Sequence, residues 1–228
     1  MSINGPISDM RRSYEQGQLD HSGLAADPFQ QFSNWFETAV DHSQPKGFFR
    51  RFGVGTYKWF QSVVGKSSTE ANAMTLATAD IHGRPSARIV LLKAMDERGF
   101  IFFSHYEGAK GRELAENPQA ALVFHWADLE RQVNIGGTVE RISKEESDAY
   151  FQSRPRGSRL AVWVARQSDV VPDRKFLENK WKEVEQRFPK DIPKPDYWGG
   201  FRLVPSRIEF WQGRASRLHD RYLYTRDG

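Results

Sequence analysis

Five β-rich segments follow one another between residues 72 and 141, and this succession restricts the fold more than anything else in the chain. They read "NAMTLATA", "SARIVLLKA", "GFIFFSHY", "AALVFHWA" and "RQVNIGGTVERI", and β-branched and aromatic residues dominate them. "DIHGRP" and "DERG" between them carry turn chemistry. Connections this short make neighbouring strands antiparallel, and five in a row predict a barrel or a sandwich. One short helix, "EGAKGRELAENP", interrupts them and stops before Pro118.

Helices flank this region. "DPFQQFSNWFETAV" opens with Asp27 as a cap and Pro28 in the first turn, and Phe29, Phe32, Trp35, Phe36 and Val40 share one face. Ser143 and Glu146 form a capping-box pattern before "KEESDAYFQS". "GSRLAVWVARQS" and "PDRKFLENKWKEVEQRF" read as two further helices. Strands resume at "FRLVP", "RIEFWQ" and "RLHDRYLYTR", and must rejoin the first sheet, because alone they are too few to hold a core. The resulting class is α+β, mainly β. Residues 1–26 are expected to be a mobile N-terminal segment, and residues 27–228 a single domain. Within it, residues 43–69 form a basic aromatic insertion with Lys46, Arg50, Arg51, Lys58 and Lys66 and no acidic residue. That stretch reads as a surface loop packing its aromatics on the protein; the alternative is a basic amphipathic helix for a membrane surface or a partner.

Composition removes several function classes. With no cysteine among 228 residues, a disulfide framework, a thiolate metal site and a catalytic thiol are excluded. Six histidines at 21, 42, 82, 105, 125 and 219 lack metal-ligand spacing, so no metal is expected. GxSxG, P-loop and GxGxxG patterns are absent. With no nucleophile on offer, an enzymatic function calls for a cofactor that supplies the reactivity. No run of about 18 apolar residues is available to span a bilayer, and no apolar segment marks the N-terminus as a secretory signal; a cytoplasmic location is expected. The net charge of +4 weakly favours anionic partners. Its cations are interspersed with acids and no nucleic-acid motif appears, so a nucleic-acid partner is not expected.

Three stretches concentrate chemistry. "RIVLLK" places Arg88 and Lys93 at the two ends of an apolar strand, five residues apart and so on opposite faces. They serve two anionic groups or simply reach solvent at the strand ends. "YFQSRPRGS" brings Tyr150, Arg154 and Ser158 to the end of a capped helix, where they can grip a phosphate or merely complement the helix C-terminus. In "RLHDR", Arg217, His219 and Arg221 fall on one face of an extended chain, where three cations repel unless an anion or a carboxylate sits among them.

In this order, "RIVLLK", "ERQV", "YFQSRPRGS", "RQS", "WGGFR", "EFWQG" and "RLHDR" resemble the pyridoxine (pyridoxamine) 5'-phosphate oxidase family, from about Arg11 to Arg226 apart from residues 43–69. The resemblance implies an FMN-binding split β-barrel with flanking helices, working as a homodimer with FMN at the subunit interface. It implies oxidation of pyridoxine 5'-phosphate or pyridoxamine 5'-phosphate to pyridoxal 5'-phosphate, with hydride passing from C4' to flavin N5 and oxygen as final acceptor, yielding hydrogen peroxide. Matched by motif, Arg88, Ile89, Val90, Leu91, Lys93, Phe103, Ser104, Lys110, Gln132, Gln167, Ser168, Trp211 and Arg221 are implied at FMN, with Arg88 on its phosphate. Lys93, Tyr150, Arg154 and Ser158 are implied at the substrate phosphate. Arg217 and His219 are implied over the pyridine ring as the catalytic pair, and Arg11 and Tyr14 as a lid.

The match has departures. "GAK" puts Ala109 where the family carries an arginine near the FMN phosphate, which implies weaker flavin retention. Ala161 stands at a position where the family has glycine, and the family pattern continues past "YTRDG" to a last strand ending Arg-Leu-Ala-Pro. Two other functions compete with the oxidase: a non-catalytic split-barrel protein binding FMN or pyridoxal phosphate, and a basic nucleic-acid-binding barrel.

Overall fold

The computed structural model describes residues 13–43 and 70–226; Arg11 and all of the basic insertion except Ser43 lie outside them. Eight strands form one antiparallel sheet: β1 (Ala73–Ala79), β2 (Pro85–Leu91), β3 (Ala94–Asp96), β4 (Gly99–His105), β5 (Gln119–Trp126), β6 (Arg131–Arg141), β7 (Trp198–Gln212) and β8 (Asp220–Thr225). Their order is β2-β1-β5-β6-β7-β4-β3, with β8 added on β7. The two ends of this ladder, β2 and β3, are consecutive in the chain and separated only by Leu92 and Lys93. At that point the backbone changes partner: Leu92 donates its N–H to Asn72 O, and Lys93 donates to Ile101 O, both at 2.9 Å. A sheet whose outer strands are joined by two residues must curl until its edges meet, which gives the split-barrel form expected from the sequence.

Helix α1 (Pro28–Ser43) plugs the curl. Asp27 accepts the Phe29 N–H at 3.0 Å, and Phe32, Trp35 and Phe36 are buried. Phe32 meets Phe100 and Phe124 edge-on at 4.9 and 5.0 Å, and Trp35 meets Phe210 at 5.3 Å, so one helix face joins β4, β5 and β7. Full burial of side chains of this size contributes roughly 1.5–3 kcal/mol each. A smaller cluster, with Phe151, Leu160, Val184 and Trp198, fastens α3 (Lys144–Ser153), α4 (Arg156–Val164) and α5 (Arg174–Arg187) to the start of β7. The remaining helix, α2 (Ala109–Glu116), lies between β4 and β5.

Two elements differ from the sequence reading. "FRLVP" and "RIEFWQ" are one strand of 15 residues, because the register slips opposite Gly136 and Gly137. That bulge leaves Ser206 unpaired in the ladder, so Pro205, which has no N–H to give, does not end the strand. "RLHDRYLYTR" is not extended throughout. Ala215–Arg217 form a 3-10 turn with Ser216 and Arg217 at φ 56° and 62°, and the strand begins only at Asp220. The chain must reverse between Gln212 and Asp220, which pair directly, and the His219 ring locks that corner by accepting the Arg214 N–H on Nδ1 at 3.0 Å. Arg217, His219 and Arg221 therefore do not share one strand face.

The described part of the N-terminal segment is stitched to the sheet. Leu19 donates its N–H to Asp220 Oδ2 at 2.9 Å, and the Tyr224 hydroxyl donates to Ala25 O at 2.7 Å.

Candidate active site

The motif residues gather in three places. The first surrounds the N-terminus of α2. Arg88, on β2, pairs with Glu113 at 3.1 Å and also donates to Thr78 and Ser86; the Glu113 carboxylate accepts from both hydroxyls. Next to it Lys110 donates to Gln167 Oε1 at 2.7 Å, which also accepts from Ser104 Oγ at 2.9 Å. Ala109 donates its N–H to Ser168 Oγ at 3.2 Å. Burial and then the charge of Arg88 pull the Lys110 ammonium below its ordinary pKa, with Glu113 opposing. Gly108 gives α2 no side-chain cap. Two cations and a helix N-terminus thus converge where the helix dipole also favours an anion. Ile89, 65% exposed, follows Arg88 on the same strand and so presents an apolar side chain on the opposite face.

The second group lies at the β2–β3 seam and the start of β7. Tyr150 stacks on Phe103 at 3.9 Å, and the Arg154 guanidinium sits 4.8 Å over Trp198. Arg154 Nη1 is buried without a hydrogen-bond partner, which is costly unless an anion completes it. Burial lowers the Lys93 pKa, and Arg154 lowers it further against the pull of Glu70, so the two cations are near enough to repel each other. His105 is held neutral, its pKa depressed to about 4 by burial and then by Lys110, Arg154 and Arg166. Ser158 is half-buried two residues into α4. Because the chain breaks from β2 after Leu91, Arg88 and Lys93 reach different neighbourhoods through the change of strand rather than through simple alternation.

The third group is at the far end of β7. Register places Gln132, Trp211 and Arg221 side by side across β6, β7 and β8, with Arg221 3.7 Å from Glu209. Tyr14 meets Trp211 and His219 edge-on at 5.8 and 5.5 Å, and Trp211 and His219 lie 4.7 Å apart. Arg217 projects from the corner, exposed.

Thr78, Ser86 and Glu113, which fix Arg88, were not singled out in the sequence, nor was Trp198 beneath Arg154. Ser86 stands two residues before Arg88 and so on its face, the only local hint; Glu113 comes from another element. Ala161 is exposed on α4, so its methyl meets no crowding within the chain.

Trp198 and Trp211 are thirteen residues apart on one strand, a span of about 40 Å if straight and less on a curled sheet. The second and third groups thus belong to opposite ends of the molecule. For flavin, the residues present fit: for a phosphate, paired cations and a helix N-terminus whose N-cap residue has no side chain; an exposed apolar residue on β2; and a Gln-Trp-Arg row.

The model of the family described as "Pyridoxamine 5'-phosphate oxidase" matches residues 66–188, and that of the "Pyridoxine 5'-phosphate oxidase C-terminal dimerisation region" matches residues 198–228. The chain is 51% identical over 221 residues to the pyridoxine/pyridoxamine 5'-phosphate oxidase of Burkholderia mallei (strain SAVP1), covering 97% of this chain and 92% of that protein. It is 50% identical to the protein of the same name from Paraburkholderia phymatum, over 97% and 93% of the two chains. Among solved structures it resembles PhzG from Burkholderia lata 383, in complex with tetrahydrophenazine-1-carboxylic acid, with a TM-score of 0.75, 28% identity and coverage of 91% and 90%. A pyridoxamine 5'-phosphate oxidase-related, FMN binding protein from Nostoc punctiforme shares the fold, at a TM-score of 0.63, 17% identity and coverage of 90% and 94%.

Proposed function

The chain belongs to the pyridoxamine 5'-phosphate oxidase family, and on that premise we propose that it oxidises pyridoxine 5'-phosphate and pyridoxamine 5'-phosphate to pyridoxal 5'-phosphate, with oxygen as acceptor and hydrogen peroxide released. The observation that carries this reading is the presence of two separate phosphate-ready cation pairs. One, Arg88 with Lys110 at the start of α2, suits the flavin phosphate. The other, Lys93 with the incompletely bonded Arg154, suits a second, smaller phosphorylated molecule.

FMN, when bound, supplies the two-electron acceptor for the C4' carbon of the substrate. The protein's own residues bind, orient and exclude water. Arg88, Lys110, Ser104, Gln167 and Ser168 hold the flavin phosphate end, Ile89, Val90 and Leu91 line its length, and Gln132, Trp211 and Arg221 close over it. Lys93, Arg154, Tyr150 and Ser158 hold the substrate phosphate, with Phe103 supporting the Tyr150 ring. Arg217 and His219 face the pyridine and orient the reacting carbon, and Tyr14 covers them.

The C-terminal dimerisation region is present, and a homodimer resolves the separation along β7. In this reading the Trp211 end of one protomer completes the Arg154 end of its partner, with FMN between the chains. A cytoplasmic location belongs to the same reading and is tested by cell fractionation.

The decisive experiment is anaerobic addition of pyridoxine 5'-phosphate to the purified yellow protein, followed by oxygen. Bleaching of the flavin band, then recovery with one peroxide per aldehyde, is the expected result. A flavin that stays oxidised identifies a non-catalytic FMN-binding protein instead.

A further inference from the structure

A buried carboxylate, the first residue of "ERQV" and not among the residues implied at FMN or at the substrate, touches the N-terminal strap. Glu130 sits in the corner between Ala127–Leu129 and β6, in the left-handed region at φ 53°, and is 2% exposed. Its backbone O accepts the Gly213 N–H at 2.7 Å and the Gln212 side-chain amide at 3.2 Å, so the corner is fixed to the end of β7. Its side-chain Oε2 accepts the Gln16 N–H at 2.9 Å across 114 residues of sequence.

Two residues before Gln16, the Tyr14 ring lies against Gly213, so closely that a Cβ there would come within 2.8 Å of the ring. The same ring meets Trp211 and His219 edge-on. Farther along the strap, Asp220 accepts the Leu19 N–H and Arg214 donates to Gln18 Oε1 at 3.2 Å. Of these anchors, the Glu130 contact is the nearest to Tyr14. A strap near the chain terminus loses much conformational freedom when ordered, and a charge-assisted bond at this point offsets that loss.

We propose that Glu130 is a positioning residue for substrate binding: by holding the Gln16 N–H it sets Tyr14 against Trp211 and His219. Glu130 does not touch the substrate; it acts through Tyr14. The proposal rests on Tyr14 being part of the pyridine site, as argued above.

The test is a double-mutant cycle on the FMN-loaded enzyme, with Glu130→Ala, Tyr14→Ala and both together. Loss of a hydrogen bond to a charged group predicts that Glu130→Ala raises KM for pyridoxine 5'-phosphate about tenfold, while kcat and FMN affinity change by less than about twofold. Glu130→Gln, which keeps an acceptor oxygen, should recover much of the loss. In the Tyr14→Ala background, Glu130→Ala should add no further rise in KM, because effects that pass through one side chain are not additive. Multiplying effects in the double variant, or an unchanged KM in Glu130→Ala, overturn the proposal. An unchanged KM in Tyr14→Ala alone instead removes Tyr14 from the pyridine site, and the proposal falls with that reading. Should Glu130→Ala fail to fold, Glu130→Gln takes its place in the cycle, where a smaller KM rise that vanishes without Tyr14 supports the proposal and one that persists overturns it.

Discussion

At the residue scale, the site is a matter of charges whose partners are either fixed or missing. Arg88 is fixed by Glu113, Thr78 and Ser86, so Arg88→Ala removes a cation and also strips a carboxylate of its partner. The expected result is a loss of FMN affinity of at least about tenfold, read by flavin fluorescence titration. Ala109→Arg should move affinity the other way, since the Ala109 N–H already meets Ser168 beside Lys110; no gain would mean that this turn does not face the phosphate. His105 makes a different prediction. Its pKa is about 4 in the folded protein against 6.5 ordinarily, so between these values the unfolded chain binds more protons. The contribution to stability is complete above about pH 6.5 and is lost as pH falls toward 4, approaching about 3 kcal/mol. In His105→Gln the urea midpoint should therefore fall less between pH 6.5 and 4 than in the parent at equal flavin loading. Parallel pH profiles would show that the ring is not buried neutral.

At the element scale, what could be read from the sequence was what is encoded locally. The Ser143–Glu146 capping box forms as written, each partner bonding the other's backbone, because both lie within one helical turn. The apolar face of α1 was equally legible from its spacing. Strand β7 was not, since Pro205 reads as a stop and only the bulge at Ser206, opposite Gly136 and Gly137 of β6, lets it continue. The corner before β8 was illegible for a related reason: alternating Arg and His look extended, and nothing in Ser216 or Arg217 announces positive φ. The motif residues were assigned by identity; Glu113 carries no motif and acts from another element, and Glu130, although it opens "ERQV", acts through the N-terminal strap rather than through the strand it precedes. Arg217 therefore holds an unfavourable backbone conformation, which costs a non-glycine residue roughly 1–2 kcal/mol. Arg217→Gly should be at least as stable as the parent in thermal melts, whereas Arg217→Ala should not gain. Both should slow anaerobic flavin reduction at saturating substrate with FMN retained. If reduction keeps its parental rate in both, the corner is structural only.

At the scale of the whole molecule, the length of β7 bears on the proposed dimer. Arg154 packs on Trp198 at one end, His219 packs on Trp211 at the other, and about 40 Å of strand, less any curl, lies between. No arginine side chain spans that distance, so one substrate molecule cannot meet both within one chain. In a twofold dimer each site would take Arg154 from one protomer and Arg217 from the other. Mixing makes this visible. Arg154→Ala and Arg217→Ala should each be nearly inactive alone at limiting substrate. In a hybrid of the two, one site collects both substitutions and the other collects neither. Random re-pairing makes half the dimers hybrids with one intact site of two, so activity should return to about a quarter of the parent's. The regained activity should show the parental KM, because the intact site has every native group. If both residues serve a site within one chain, every site in the mixture carries one substitution, and re-pairing restores nothing.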